Sequence, residues 1–142
     1  LNEADLIEGV SDFFLKCREQ SIPVFIVSHK TEFAKQDQTK TNLRSAVMSF
    51  LESHRFFNTN GLGISRNQVF FESSCVEKVA RIKMLNCSHF IDDLEETFQE
   101  ACFPEQTTKI LFDPHGLSSP QRNLIIHSTW FQIMDFVFKE QS

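Results

Sequence analysis

Two adjacent acids, Asp92 and Asp93, end the stretch Ser88-His89-Phe90-Ile91. Carboxylates held side by side repel each other unless a cation or a basic group neutralises them, so the pair predicts a hard-cation site. Mg²⁺ suits such a place, because it takes one or two protein carboxylates and leaves its other positions to water and phosphate. The competing reading is that the acids open a helix at Leu94, where negative charge is favourable. Ser28 follows the run Val24-Phe25-Ile26-Val27. A hydroxyl beside a free backbone N–H there can hold a phosphate oxygen, the plainer alternative being a turn serine. Lys78 lies in the helix before the Asp92 strand, where a fixed ammonium reaches phosphate and carboxylates together. Its alternative is a solvated helix lysine beside Arg81 and Lys83. His29 and Lys30 are the candidate substrate-facing groups. His54, His89 and His127 have no second ligand-like residue at useful spacing and are read as structural.

The elements that must position these residues alternate. Leu6, Val10, Phe13, Phe14 and Cys17 recur at helical spacing until Ser21-Ile22-Pro23 interrupts them near Gln20. Val24 to Val27 reads as a short strand buried on both faces. The polar stretch Thr31 to Asn42 holds little that can be buried and is expected to be an exposed loop near the site. A helix follows on Leu43, Val47, Phe50 and Leu51, then a glycine-containing connection from Asn58 to Asn67 and the strand Val69-Phe70-Phe71. A third helix is expected over roughly Val76 to Leu85, a strand over Ser88 to Asp93, and a short helix from Leu94 to about Ala101. Lys109 to Phe112 is a fourth strand, read as an edge strand, and Trp130 to Phe138 a final helix capped by Ser128. Parallel neighbours need crossover connections, so this order predicts a single α/β domain over residues 1–142, its parallel sheet covered by helices on both faces. Ligands in such sheets sit at the carboxyl ends of strands, where the candidate residues lie.

The 142 residues carry a net charge of -5, with 41% hydrophobic and 23% charged residues. This is the composition of an ordinary globular domain. The acidic balance argues against a nucleic-acid partner, which calls for clustered Lys and Arg. No apolar stretch approaches the ~20 residues of a membrane span and no signal peptide is visible, so a cytoplasmic protein without membrane contact is expected. Sixteen Phe, one Trp and no Tyr point to rings that fill volume. Cys17, Cys75, Cys87 and Cys102 have no Cys-x-x-Cys spacing and are read as reduced and buried.

Taken together, a strand ending in Ser, a lysine, and a strand ending in Asp-Asp resemble the second, third and fourth motifs of the haloacid dehalogenase superfamily. The stretch "KVARIKMLNCSHFIDDLEETF", from Lys78 to Phe98, looks like the third and fourth motifs. "VFIVSHKT" is similar to the second motif of a bacterial subgroup. The resemblance spans roughly Leu6 to Asp113. It implies a three-layer Rossmann-like fold and a Mg²⁺-dependent phosphohydrolase acting on a small phosphorylated metabolite. In it Ser28 would bind the transferring phosphoryl group, Lys78 would neutralise it and position the nucleophile, and Asp92 with Asp93 would hold the metal.

The family's first motif is a strand ending in Asp-x-Asp, whose first acid forms an aspartyl-phosphate. This sequence contains no Asp-x-Asp. The strand that carries it is the first and central one of the family's sheet, between the Ser28 and Asp92 strands, so the sheet is expected to lack that strand. The sequence starts at Leu1 rather than Met, and the expectation is that an upstream segment or a second chain supplies the strand, this chain alone being inactive. "ILFDPHG" imitates a first motif, which raises Asp113 as a permuted nucleophile. The rival readings are a non-catalytic α/β phosphate- or metal-binding module, and a receiver-like domain whose acids would come early in the chain rather than late.

Overall fold

Helix α1, Val10–Glu19, buries Val10, Phe13, Phe14 and Cys17 along one stripe. It starts later than the periodicity from Leu6 suggests because Gly9 takes a left-handed φ of 93° and ends the preceding turn there. The computed structural model describes residues 6–29 and 43–140. Lys30 and the predicted loop from Thr31 to Asn42 lie outside the described residues, as does the side chain of His29. The described chain falls into two compact units divided after Ser74.

The first unit continues from α1 with β1 (Ile26–His29), α2 (Leu43–Ser53), a 3-10 turn at Arg66–Gln68, and β2 (Val69–Glu72). β1 and β2 pair in parallel, Ile26 opposite Val69 and Ser28 opposite Phe71. The ladder begins two residues later than the apolar run because the Val24 carbonyl accepts the Gln68 side-chain amide at 2.6 Å. Ser28 is therefore the third residue of a four-residue strand and not the residue after it, which corrects the sequence-based placement. Phe14 meets Phe56 edge to face at 5.0 Å between ring centroids, and Leu51, Leu62 and Ile64 complete a buried cluster. Arg18 ties the connection between α2 and β2 to α1, donating to the carbonyls of Gly61 (2.7 Å) and Thr59. Gly61 is required there, since a Cβ would collide with the Arg55 carbonyl oxygen.

The second unit contains α3 (Cys75–Leu85), β3 (His89–Asp92), α4 (Glu95–Gln99), β4 (Thr108–Phe112), β5 (Leu124–His127) and α5 (Trp130–Glu140). Its three strands are parallel in the order β3-β4-β5. β4 is thus central, not an edge, and Ile110, Leu111 and Phe112 are consecutively buried as an interior parallel strand requires. α5 packs on β4 and β5. The single sheet expected from sequence is, among the described residues, one two-stranded and one three-stranded sheet, an α/β arrangement with parallel strands throughout.

Three helices share one C-terminal device. Ser21, Arg55 and Asn86 take left-handed φ values of 56°, 64° and 53°. The next residue's N–H then reaches back to a carbonyl of the last turn: Ile22 to Cys17, Phe56 to Leu51 and Cys87 to Ile82. These are Schellman closures made without glycine. α5 begins with a capping box in which Thr129 Oγ1 accepts the Gln132 N–H (3.1 Å) and Gln132 Oε1 accepts the Thr129 N–H (3.2 Å). The cap is therefore Thr129, while the expected Ser128 only adds its own donors to Gln132 Oε1. None of the four cysteines is in a disulfide, but Cys17 alone is buried; Cys75 and Cys87 are half-buried and Cys102 is exposed.

Candidate functional site

Because β3, β4 and β5 run parallel, Asp92 and Asp93, Asp113, and Ser128 stand at one end of the second unit's sheet. Asp92 is the last residue of β3 and the centre of a hydrogen-bonded group. Its Oδ2 lies 2.6 Å from Lys78 Nζ and accepts the Thr97 hydroxyl at 2.9 Å, and its Oδ1 accepts the Leu94 N–H at 3.1 Å. The Lys78 and Asp92 side chains are only 6% and 8% exposed. Lys78 is brought there by its position on the inner face of α3, beside Val79 and Ile82, and its ammonium also stands 5.6 Å from the centre of the Phe90 ring. A solvated helix lysine is ruled out by this burial.

Asp93 is the exposed member of the pair. Its carboxyl is pushed above the ordinary aspartate value, first by desolvation of the carboxyl itself, then by the Asp92 charge and a side-chain hydrogen bond with Asp92; Lys78 pulls the other way. The neighbouring Asp92 charge thus favours the protonated form of Asp93. For a metal, the donor set is Asp93 and whatever Asp92 Oδ1 retains beyond its bond to Leu94. This fits an ion such as Mg²⁺ that keeps most of its coordination in water and substrate oxygens. Among the described residues no group of three or more His, Cys, Asp or Glu side chains could hold a metal.

The turn after β4 is built by Asp113. Its two carboxylate oxygens accept the N–H groups of Leu117 (3.1 Å) and Ser118 (2.9 Å), and its carbonyl accepts that of Gly116. An aspartate so engaged shapes a loop, which counts against the nucleophile reading. Glu95, in the first turn of α4, holds the same loop, accepting Ser118 Oγ at 3.1 Å and the Gln121 amide. His115 is exposed on this loop.

Of the predicted residues, Lys78, Asp92 and Asp93 are brought together in the second unit. Ser28 is a half-buried strand residue of the first. The His54 ring lies 4.4 Å from the Phe50 ring, tilted by 50°, and His89 Nδ1 lies 2.9 Å from Ser88 Oγ. Thr97 and Glu95 escaped the sequence reading. The one signal for Thr97 was a hydroxyl at a core position of a short helix, five residues after Asp92. A cleft of about 660 Å³ lined by Phe103, Glu105, Lys109, Asn123 and Phe136 opens at the amino ends of β4 and β5, at the other end of the sheet from the acids. Among the described residues no helix is long and apolar enough to cross a membrane. No family model, no curated protein and no solved structure matches this chain.

Proposed function

We propose that this chain is the phosphate- and cation-handling part of a Mg²⁺-dependent phosphohydrolase of the haloacid dehalogenase type, acting on a small phosphorylated metabolite. The observation that carries the reading is the buried Lys78–Asp92 pair beside Asp93 at the carboxyl end of a parallel strand. Burying an ammonium and a carboxylate costs several kcal/mol per ion before their attraction offsets it, so such a pair is weak support for stability alone. Its placement where α/β sheets bind ligands gives it a chemical use.

In this reading Asp93, with Asp92 Oδ1, would hold Mg²⁺, which would offset charge on the phosphoryl oxygens. Lys78 donates one N–H to Asp92 Oδ2; an ammonium has three donors, leaving two for phosphate. Ser28 is assigned to the phosphoryl group on the sequence resemblance, and His29 with Lys30 to the rest of the substrate because they directly follow Ser28 in the sequence. The attacking carboxylate is assigned to an Asp-x-Asp strand that this sequence does not contain, supplied by an upstream segment or a second chain. Among the described residues β1 pairs with β2 and β3 with β4.

The test is a Mg²⁺ titration followed by thermal melting, with phosphomonoester turnover measured on the chain alone and on the chain extended or mixed with an Asp-x-Asp strand. Mg²⁺ should raise the melting temperature by mass action. Asp93→Asn should abolish the shift, and turnover should appear only with the added strand. A shift that survives Asp92→Asn combined with Asp93→Asn would place the cation elsewhere. Cation binding with no turnover in any combination would favour the non-catalytic binding module.

A further inference from the structure

Lys78, Thr97 and Thr107 are polar or charged residues buried as whole residues, and the Asp92 side chain is buried with them. Thr107 ties two connections together by donating to the Cys87 carbonyl at 2.8 Å. Lys78 and Thr97, from different helices, converge on a single atom, Asp92 Oδ2. Thr97 is 0% exposed, and at such a position valine would match its shape without a hydroxyl to desolvate. A buried hydroxyl is tolerated only where a partner offsets its lost water. Here the partner is the Asp92 carboxylate and not a backbone carbonyl of the same helix, the usual acceptor for a helical threonine.

We propose that Thr97 is a positioning residue of the cation site: with Lys78 it saturates Asp92 Oδ2, fixes the carboxylate's rotation and directs the remaining acceptor position of Oδ1 toward the cation held by Asp93. The inference rests on the proposed cation reading of this site. A carboxylate offers about four acceptor positions. Lys78 and Thr97 occupy both on Oδ2, and the Leu94 N–H takes one on Oδ1. Asp92 therefore contributes little direct coordination and works mainly by presenting one lone pair at a fixed angle, with Asp93 as the principal ligand. Outer-shell hydrogen bonds of this kind typically change metal affinity by about 10- to 100-fold when removed.

The experiment compares wild type, Thr97→Val, Thr97→Ser and Asp93→Asn, reading Mg²⁺ affinity by calorimetric titration and the Lys78 ammonium by ¹⁵N NMR. Thr97→Val is expected to weaken Mg²⁺ about tenfold and to shift the Lys78 resonance, while Thr97→Ser, which restores the hydroxyl, stays within about twofold of wild type. Wild-type affinity in Thr97→Val, with Asp93→Asn still abolishing binding, overturns the role of Thr97 and leaves the cation reading standing. No Mg²⁺ binding by wild type overturns both. Should Thr97→Val fail to fold, the buried Thr97 hydroxyl proton of the wild type is observed instead. Its resonance is expected to move on Mg²⁺ addition, and one unmoved at saturation overturns the proposal.

Discussion

Lys78 Nζ and Asp92 Oδ2 lie 2.6 Å apart, on side chains that are each more than nine-tenths withdrawn from solvent. Removing either partner leaves a lone buried charge, so Lys78→Met and Asp92→Asn are each expected to destabilise the chain by about 3–5 kcal/mol in urea denaturation. The double replacement is expected to cost clearly less than the two losses added together. Simple additivity would mean that the two charges are solvated independently.

The raised Asp93 carboxyl gives a pH dependence of definite sign. An acid that binds its proton more tightly when folded adds stability below its unfolded value near 3.8 and loses that contribution as pH rises through its higher folded value. In the presence of a chelator, Asp93→Asn should therefore resemble wild type in acid and exceed it in stability toward neutral pH. A stability difference between Asp93→Asn and wild type that stays constant from about pH 4 to pH 7 would contradict this.

The Thr129–Gln132 capping box predicts unequal effects of two neighbouring hydroxyls. Thr129→Ala should cost about 1 kcal/mol, as typical helix caps do. Ser128→Ala, which leaves both reciprocal bonds in place, should cost markedly less. Equal losses in chemical denaturation would return the cap to Ser128.

Cysteine chemistry should separate by burial. The Cys17 thiol, 2% exposed, is pushed up to about 11 by burial, and burial also raises Cys87. At about pH 8 a thiol reagent should modify exposed Cys102 readily and Cys17 only through unfolding, because the thiolate is the reacting form. Mass spectrometry of the labelled peptides checks the order.

What the sequence revealed best was long or strongly patterned. α1, α2, α3 and α5 each place apolar residues at helical spacing, and Val69 to Glu72 and Lys109 to Phe112 are apolar runs between breakers. β5, as short as β1, β2 and β3, was missed because no helix separates it from β4, so the alternation of strand and helix gave no cue to a further strand. The displacement of β1 came from the Gln68 side chain taking the Val24 carbonyl, a contact between residues 44 apart in sequence. At the site, Lys78, Asp92 and Asp93 were found because charged residues beside apolar strands call for explanation. Thr97 was not, since a threonine draws notice only once its burial is known.

The Arg18 clamp bears on how the first unit is assembled in time. Its two hydrogen bonds join residues 43 and 41 apart, so the intervening chain must be closed into a loop before either can form. Closing such a loop is entropically unfavourable. The clamp is expected to form on the late side of the folding barrier. Removing it in Arg18→Ala would hasten unfolding while leaving the refolding rate nearly unchanged, making Arg18 a determinant of how long the native state lasts rather than how quickly it is reached.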